Sequence, residues 1–207
     1  MRGARPTAVS DAAGGPATDE ELARRFTAGD RSAFDELARR HRDALFRFAR
    51  WQLGADAGEA EDATQDALVE IYRSLPRFEG RSRLRTWMFG LTRNVCGQRR
   101  RATRRERGGA AGSEVLQRIP DVSLDLEGAL VRRELQDTVR TAIESLGPEH
   151  RGVILLREIE GLRYEEIAEV LGVPAGTVRS RLHNARALLA ARLATLAPAR
   201  EEKHELR

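Results

Sequence analysis

The sequence predicts an all-α protein of two small helical domains joined by a flexible linker. Three observations predict it. Charged residues make up 33% and aromatics only 5%, while Leu, Ala, Arg and Glu recur throughout, which is the composition of soluble helical proteins. Apolar residues return at three- and four-residue steps in both halves of the chain, the period of amphipathic helices. A stretch rich in Arg and then Gly, without that period, lies between the halves, and 207 residues are enough for two small cores.

Residues 1–18 are rich in Ala, Gly and Pro and lack the apolar run of a signal peptide, so they are expected to be a disordered lead-in. From Asp19 the helical period sets in with Leu22 and Phe26, pauses at Gly29-Asp30, and resumes with Phe34, Leu37, Ala38, Leu45, Phe46 and Phe48. Asp56 to Gly58 breaks the pattern, and a third helix is predicted over 59–75, stopped by Pro76. After the polar loop Phe78-Glu79-Gly80-Arg81-Ser82 a fourth helix is predicted over 84–101, with Trp87, Leu91 and Val95 as its core stripe. These helices define a leading domain, 19–102. The linker, 103–126, runs from arginines through Gly-Gly-Ala-Ala-Gly-Ser to Ile119-Pro120-Asp121 and Asp125. A trailing domain, 127–197, opens with Leu130, Leu135, Val139 and Ile143, ends that helix at Gly147-Pro148, and continues through three more helical segments to Leu196. A charged tail, 198–207, closes the chain, and there is no internal repeat.

The net charge is +4 with a sequence pI near 10.1, and Arg supplies almost every cation, Lys203 being the one lysine. A GC-rich coding bias accounts for arginine number as readily as function does, so the placement of the arginines carries the information. Cys96 is the single cysteine, which excludes an internal disulfide and a Cys-based zinc site. His41, His150, His183 and His204 lack ligand spacing, so no metal and no other cofactor is expected. No window approaches the ~20 apolar residues of a membrane span, and a soluble, cytoplasmic protein is expected. There is no P-loop, no carboxylate cluster of metal-binding type and no nucleophile with a base, so the chain is not expected to be an enzyme.

The segment from Tyr164 to Pro174 reads as a short amphipathic helix and a tight turn. Ala168 is small where two helices must approach, Gly172 accepts the left-handed conformation that ends a helix, and Pro174 suits the first turn of the next. On that next helix Val178, Leu182, Ala185 and Leu189 form one stripe, while Ser180, His183, Asn184 and Ala187 lie opposite with Arg179, Arg181 and Arg186 on the flanks. This is a helix-turn-helix whose polar face reads bases and whose guanidiniums hold phosphates.

Two features lie in the leading half. On the helix from Glu61 to Leu68, Asp62, Gln65, Asp66 and Val69 share a face that has no basic partner on its own helix, with Ala67, Leu68, Ile71, Tyr72 and Leu75 on the buried side. Such a face suits a cationic surface on another molecule. From Phe78 to Asn94 basic and aromatic residues interleave and lead to the run Arg99 to Arg101, a combination suited to single-stranded DNA because rings stack on bases and arginines follow phosphates.

The motif Glu160-Gly161-Leu162-Arg163-Tyr164-Glu165-Glu166-Ile167-Ala168, continuing to Gly176-Thr177-Val178-Arg179-Ser180-Arg181-Leu182, resembles region four of extracytoplasmic-function (ECF) sigma factors, and the acidic helix with its following basic segment resembles region two. The resemblance covers about 22–101 and 127–196 in the family's order. It implies a subunit that binds core RNA polymerase and directs it to promoters, with Asp62, Gln65 and Asp66 on the clamp helices of β′ and region four resting on the β flap. It further implies that Phe78, Gly80, Arg81, Ser82, Arg85, Arg93 and Asn94 contact the opened −10 element. Thr177, Arg179, Ser180, Arg181, His183, Asn184 and Arg186 then contact the −35 element. Asn184 stands where many relatives carry Arg, and Asn pairs with adenine edges, so a shifted −35 preference is implied. An anti-sigma factor is the implied regulatory partner. An autonomous helix-turn-helix regulator is the rival reading; it binds duplex DNA without polymerase and leaves the acidic face and the Phe78 to Asn94 segment unexplained.

Overall fold

The computed structural model describes residues 16–54, 57–106 and 128–196, and every regular element among them is helical. Most of the lead-in, the break at 55–56, the linker from residue 107 with Asp121 and Asp125, and the tail lie outside the described residues.

Helix α1, Asp19–Thr27, begins where Thr18 Oγ1 accepts a hydrogen bond from the Glu21 amide at 3.2 Å, with Asp19, Glu20 and Glu21 at its electropositive end. Helix α2, Arg31–Leu53, is capped by Asp30, whose Oδ1 accepts from the Ser32 amide at 3.1 Å and whose Oδ2 pairs with Arg25 at 2.7 Å. Hydrogen bonds from Ser32 and Arg25 hold the Asp30 carboxyl below the usual carboxylate range, so the cap is charged at neutral pH. Helix α3, Ala57–Ser74, passes into a 3-10 turn, Leu75–Arg77, where the Pro76 ring ends the α geometry. Helix α4 spans Leu84–Glu106, five residues further than the 84–101 expected from the sequence.

Leu37, Leu45, Phe48, Ile71, Leu84, Met88 and Phe89 are the fully buried centre of this leading group. Each such burial contributes about 1.5–3 kcal/mol relative to an exposed side chain. The core face of α4 differs from the expected stripe: Leu84, Met88, Phe89, Thr92 and Cys96 are buried, whereas Trp87, Leu91 and Val95 are half-buried beside them. Thr92 tolerates the core because its hydroxyl donates to the Met88 carbonyl at 2.9 Å. Tyr72, expected on the buried side of α3, keeps 38% exposure while its ring packs edge-on against Phe26 and Phe34, each 4.9 Å away.

The trailing group consists of α5 (Gly128–Glu144), α6 (Pro148–Ile154), a π-helical turn (Leu155–Ile159), α7 (Tyr164–Leu171) and α8 (Ala175–Leu196). Pro148 opens α6 at the first-turn position instead of merely ending α5, which stops at Glu144. Between α7 and α8, Gly172 takes the left-handed conformation at φ 64°, and the Val173 amide bonds the Ala168 carbonyl at 3.1 Å, closing α7. Pro174 sits just before α8, its carbonyl accepting from Thr177 and Val178.

The two groups share one continuous core, in which Phe48, Leu84 and Phe89 cluster with Val153, Ile154, Leu156 and Ile167. At the seam, the Trp51 indole donates to the Pro148 carbonyl at 3.2 Å. Gly152 is buried against that ring so closely that a Cβ there would lie 2.1 Å from Trp51 Cζ2, so only glycine fits.

Candidate functional site

On α3 the packing side is made of small residues. Ala60, Ala63, Thr64 and Ala67 are buried against α2 and α4, and Ala49, Ala60, Ala63 and Cys96 form a cluster that lets the three helices approach closely. The opposite face carries Asp62, Gln65, Asp66 and Val69, all exposed, as the i, i+3, i+4, i+7 spacing requires. The face does have a cationic neighbour: Arg99 of α4 donates through Nε to Asp66 Oδ2 at 3.0 Å and stands 4.0 Å from Asp62. Exposed pairs of this kind are worth about 0–1 kcal/mol, so an incoming cationic surface can displace Arg99 at little cost.

The Phe78 to Ser82 loop follows the 3-10 turn. Phe78 packs its ring 5.0 Å from that of Trp87, which orients the loop. Gly80 turns the chain at φ 69° and is exposed, Arg81 is exposed with Glu79 at 2.5 Å, and Ser82 is half-buried. A cleft of about 590 Å³ lies between this loop and α1, lined by Ala23, Arg24, Leu75, Pro76, Phe78 and Gly80 among others. It is open to solvent and largely apolar, so a ring has apolar surface to rest on there.

Arg85 and Arg93, expected on the helix after that loop as part of the same −10 set, face the trailing group. Arg85 donates from Nη1 to the Glu160 carbonyl at 2.6 Å and from Nη2 to Glu160 Oε2 at 2.5 Å, with its guanidinium 5.6 Å above the Phe89 ring. Arg93 is half-buried, its guanidinium against Gly172 at the end of α7. Asn94 is exposed. The predicted −10 set is therefore divided: Phe78, Gly80, Arg81 and Ser82 stand together around the loop, and Arg85 and Arg93 face the trailing group.

On α8, Val178, Leu182 and Ala185 are buried, which leaves Arg179, Ser180, His183 and Asn184 exposed on the outward face. Thr177 is half-buried, and its carbonyl accepts from the Ser180 hydroxyl at 3.0 Å. The flanking arginines are anchored within the trailing group, Arg181 to Glu149 at 2.8 Å and Arg186 to Glu158 at 2.7 Å. The motif is thus a short polar face on a helix held by its own turn, with cations on both sides.

Residues to which the sequence assigned no individual role lie at the seam: Arg47, Trp51, Glu160 and Glu166. Glu160 is buried, and Arg47 reaches it from α2 at 2.8 Å opposite Arg85. Glu166 accepts from the Arg163 amide at 2.7 Å and faces Arg83 at 3.4 Å. Burial raises the Glu166 pKa, but the Arg163 hydrogen bonds and the charges of Arg163 and Arg83 outweigh it and hold the carboxyl below its ordinary range. Cys96 is fully buried, and burial pushes its thiol up to about 11, which makes it an inert packing residue. No group able to hold a metal ion exists among the described residues. None of the described helices is long and apolar enough to cross a membrane.

Residues 37–106 match the family Sigma-70 region 2, and residues 136–189 match Sigma-70, region 4. The chain is 34% identical to the RNA polymerase sigma-H factor of Pseudomonas aeruginosa over 81% of its length and 90% of the relative's. It is 33% identical to the ECF RNA polymerase sigma-E factor of Escherichia coli K12 over 82% and 91%. Among solved structures, it resembles the sigma factor RpoE of Bartonella quintana in complex with the anti-sigma factor NepR, with TM-score 0.60 and 28% identity, covering 78% of this chain and 96% of that one. It also resembles CnrH in complex with the cytosolic domain of CnrY, with TM-score 0.59 and 28% identity, covering 86% and 97%. With both family regions in order along helices that present an acidic face, an open loop and a recognition helix, the chain belongs to the ECF sigma factors of the sigma-70 family.

Proposed function

We propose that this sigma factor docks on core RNA polymerase through Asp62, Gln65 and Asp66, takes up the opened −10 strand at the Phe78 to Ser82 loop, and reads the −35 duplex with α8. Promoter-directed initiation is the function of its family, and these three sets of residues divide that work between polymerase and the two promoter elements. The observation that carries it is on α8, where Val178, Leu182 and Ala185 are buried and Arg179, Ser180, His183 and Asn184 are exposed. This polarity supports a reading in which the exposed hydrogen-bonding side chains meet base edges, while Thr177 contacts a phosphate with Arg181 and Arg186, the two arginines leaving Glu149 and Glu158 to do so. At the −10 element, the cleft beside Phe78 and Gly80 is suited to a base turned out of the stack, a step that costs a few kcal/mol and that contacts in the cleft offset. Asn94 of α4, exposed, is a further contact to the strand, and Arg85 and Arg93 join it once they leave Glu160 and Gly172 of the trailing group. In this reading 19–102 and 127–197 are the two working domains, every functional residue binds and none is catalytic, and the protein acts in the cytoplasm.

The likeness to the sigma factor RpoE, solved in complex with the anti-sigma factor NepR, supports a further partner, an anti-sigma factor that withholds this chain from polymerase. In vitro transcription tests the proposal: purified protein added to core enzyme should confer start-site selection on a promoter with its own −10 and −35 elements. Core enzyme that initiates no differently with and without the chain would refute it.

A further inference from the structure

Arg47 of α2 and Arg85 of α4 converge on one carboxylate that comes from the other helical group. Glu160 follows the π turn, and its side chain is only 1% exposed, whereas Arg47 and Arg85 keep 44% and 37% exposure. The Arg47 guanidinium meets Oε1 at 2.8 Å, and Arg85 meets Oε2 at 2.5 Å and the backbone carbonyl at 2.6 Å. Two guanidiniums gripping the two oxygens of one anion is the geometry that recognises carboxylate and phosphate alike. Two further arginines, Arg83 just before α4 and Arg93 on it, meet the same group. Arg83 faces Glu166 at 3.4 Å, and Arg93, two turns beyond Arg85, lies against Gly172 at the electronegative C-terminus of α7.

Resting on the sigma-factor reading above, we propose that Arg47 and Arg85 form a phosphate-binding site for the single-stranded −10 DNA, and that Glu160 is its internal occupant in the compact chain. The compact form is then self-inhibited toward the −10 strand while its −35 face remains open, since Arg179, Ser180, His183 and Asn184 are exposed in it. Geometry requires the two groups to part on a promoter. Elements named −10 and −35 lie about 25 base pairs apart, which at about 3.4 Å each is ~85 Å of duplex. A compact body of about 150 residues has a radius of gyration of ~15 Å and a diameter of ~40 Å. Residues 107–127, at ~3.3–3.6 Å each, allow the groups to separate by up to ~70 Å. Parting exposes Glu160 and both arginines to water, and the hydration regained offsets the lost ion pairing, so the latch can be reversible. A DNA phosphate then takes the place of the carboxylate between the same two guanidiniums.

The experiment compares the full chain with Glu160→Gln and Glu160→Ala by fluorescence anisotropy, using single-stranded promoter DNA that carries the −10 element, with circular dichroism to verify helix content. Removing the internal anion should tighten binding about tenfold, as expected for charge-assisted hydrogen bonds released to the ligand. Adding Arg47→Ala to either variant should cancel the gain. A purely structural ion pair would instead lower the thermal midpoint and leave DNA affinity unchanged, which overturns the proposal, as does a gain that survives Arg47→Ala. The wild type provides an arm that needs no variant: small-angle scattering should show its radius of gyration rising on addition of the same oligonucleotide, and an unchanged radius at saturation counts equally against the site. Start-site selection by wild type with core enzyme is measured alongside. Normal selection with unchanged single-strand affinity defeats the phosphate site alone, whereas absent selection defeats the sigma-factor reading itself.

Discussion

At the scale of single residues, the seam between the helical groups is where chemistry and burial are most tightly bound together. Glu166 sits in it as a charged residue held below its ordinary value of 4.5, because the Arg163 amide and the Arg163 and Arg83 charges outweigh the burial that pushes it up. A carboxyl whose folded-state pKa is depressed adds stability that is complete above the unfolded value and is lost as pH falls through the folded one. Glu166→Gln should therefore lower the urea midpoint at neutral pH, and its deficit relative to wild type should shrink steadily below the ordinary Glu range. A deficit that stayed constant or grew on acidification would remove Glu166 from this role. Glu160, by contrast, stands in the sequence only as the first residue of the region-four motif, with nothing to mark it as the buried partner of two arginines. Its partners Arg47 and Arg85 are 113 and 75 positions away, and an acidic residue beside Gly161 reads as surface until the fold brings two guanidiniums to it.

At the scale of elements, the helices themselves were largely readable, because each carries its own start and stop. Asp30 and Gly29 mark the α1–α2 break, Pro76 the end of α3, and Gly172 the turn before α8. The core face of α4 was not readable, because that helix has two neighbouring apolar stripes. Thr92 lies in the middle of the buried one, and only its hydrogen bond to the Met88 carbonyl makes it compatible with a core. Face polarity nevertheless supports two expectations. On α3, Asp66→Arg reverses charge on an exposed face without touching the packing side, so the helix content should persist while affinity for core polymerase falls by at least about tenfold, the value of a charge-pair contact. Normal retention on immobilised core enzyme would contradict the docking role. On α8, Asn184→Ala removes an exposed amide that can pair with an adenine edge, a contact worth about 1–3 kcal/mol of discrimination. Its −35 preference should relax at one position in a promoter-mutant series scored by run-off transcription, and an unaltered profile would shift recognition to Arg179, Ser180 and His183.

At the scale of the whole molecule, the family's regions 2 and 4 are packed as one body, and the Trp51 ring lies over Gly152 at their boundary. The sequence could predict two domains but not this seam, since a lone glycine in α6 and a lone tryptophan at the end of α2 carry no pairwise signal. Substituting the glycine tests the packing without altering any charge. In Gly152→Ala the new methyl group would meet Trp51 Cζ2 at 2.1 Å, and the ring, tethered through its indole to Pro148, has to leave its seat. Overpacking of this kind costs about 1–3 kcal/mol, and the cost falls on the joint between the groups, because the helical turns within each are preserved. Urea unfolding of the wild type should then be a single cooperative transition, and in the variant it should separate into two, the trailing group melting first because its core is smaller. Helical content before the transition should be unchanged. If Gly152→Ala unfolds in one step at the wild-type midpoint, the two groups are not energetically coupled through this contact, and the compact arrangement is a loose association rather than a shared core.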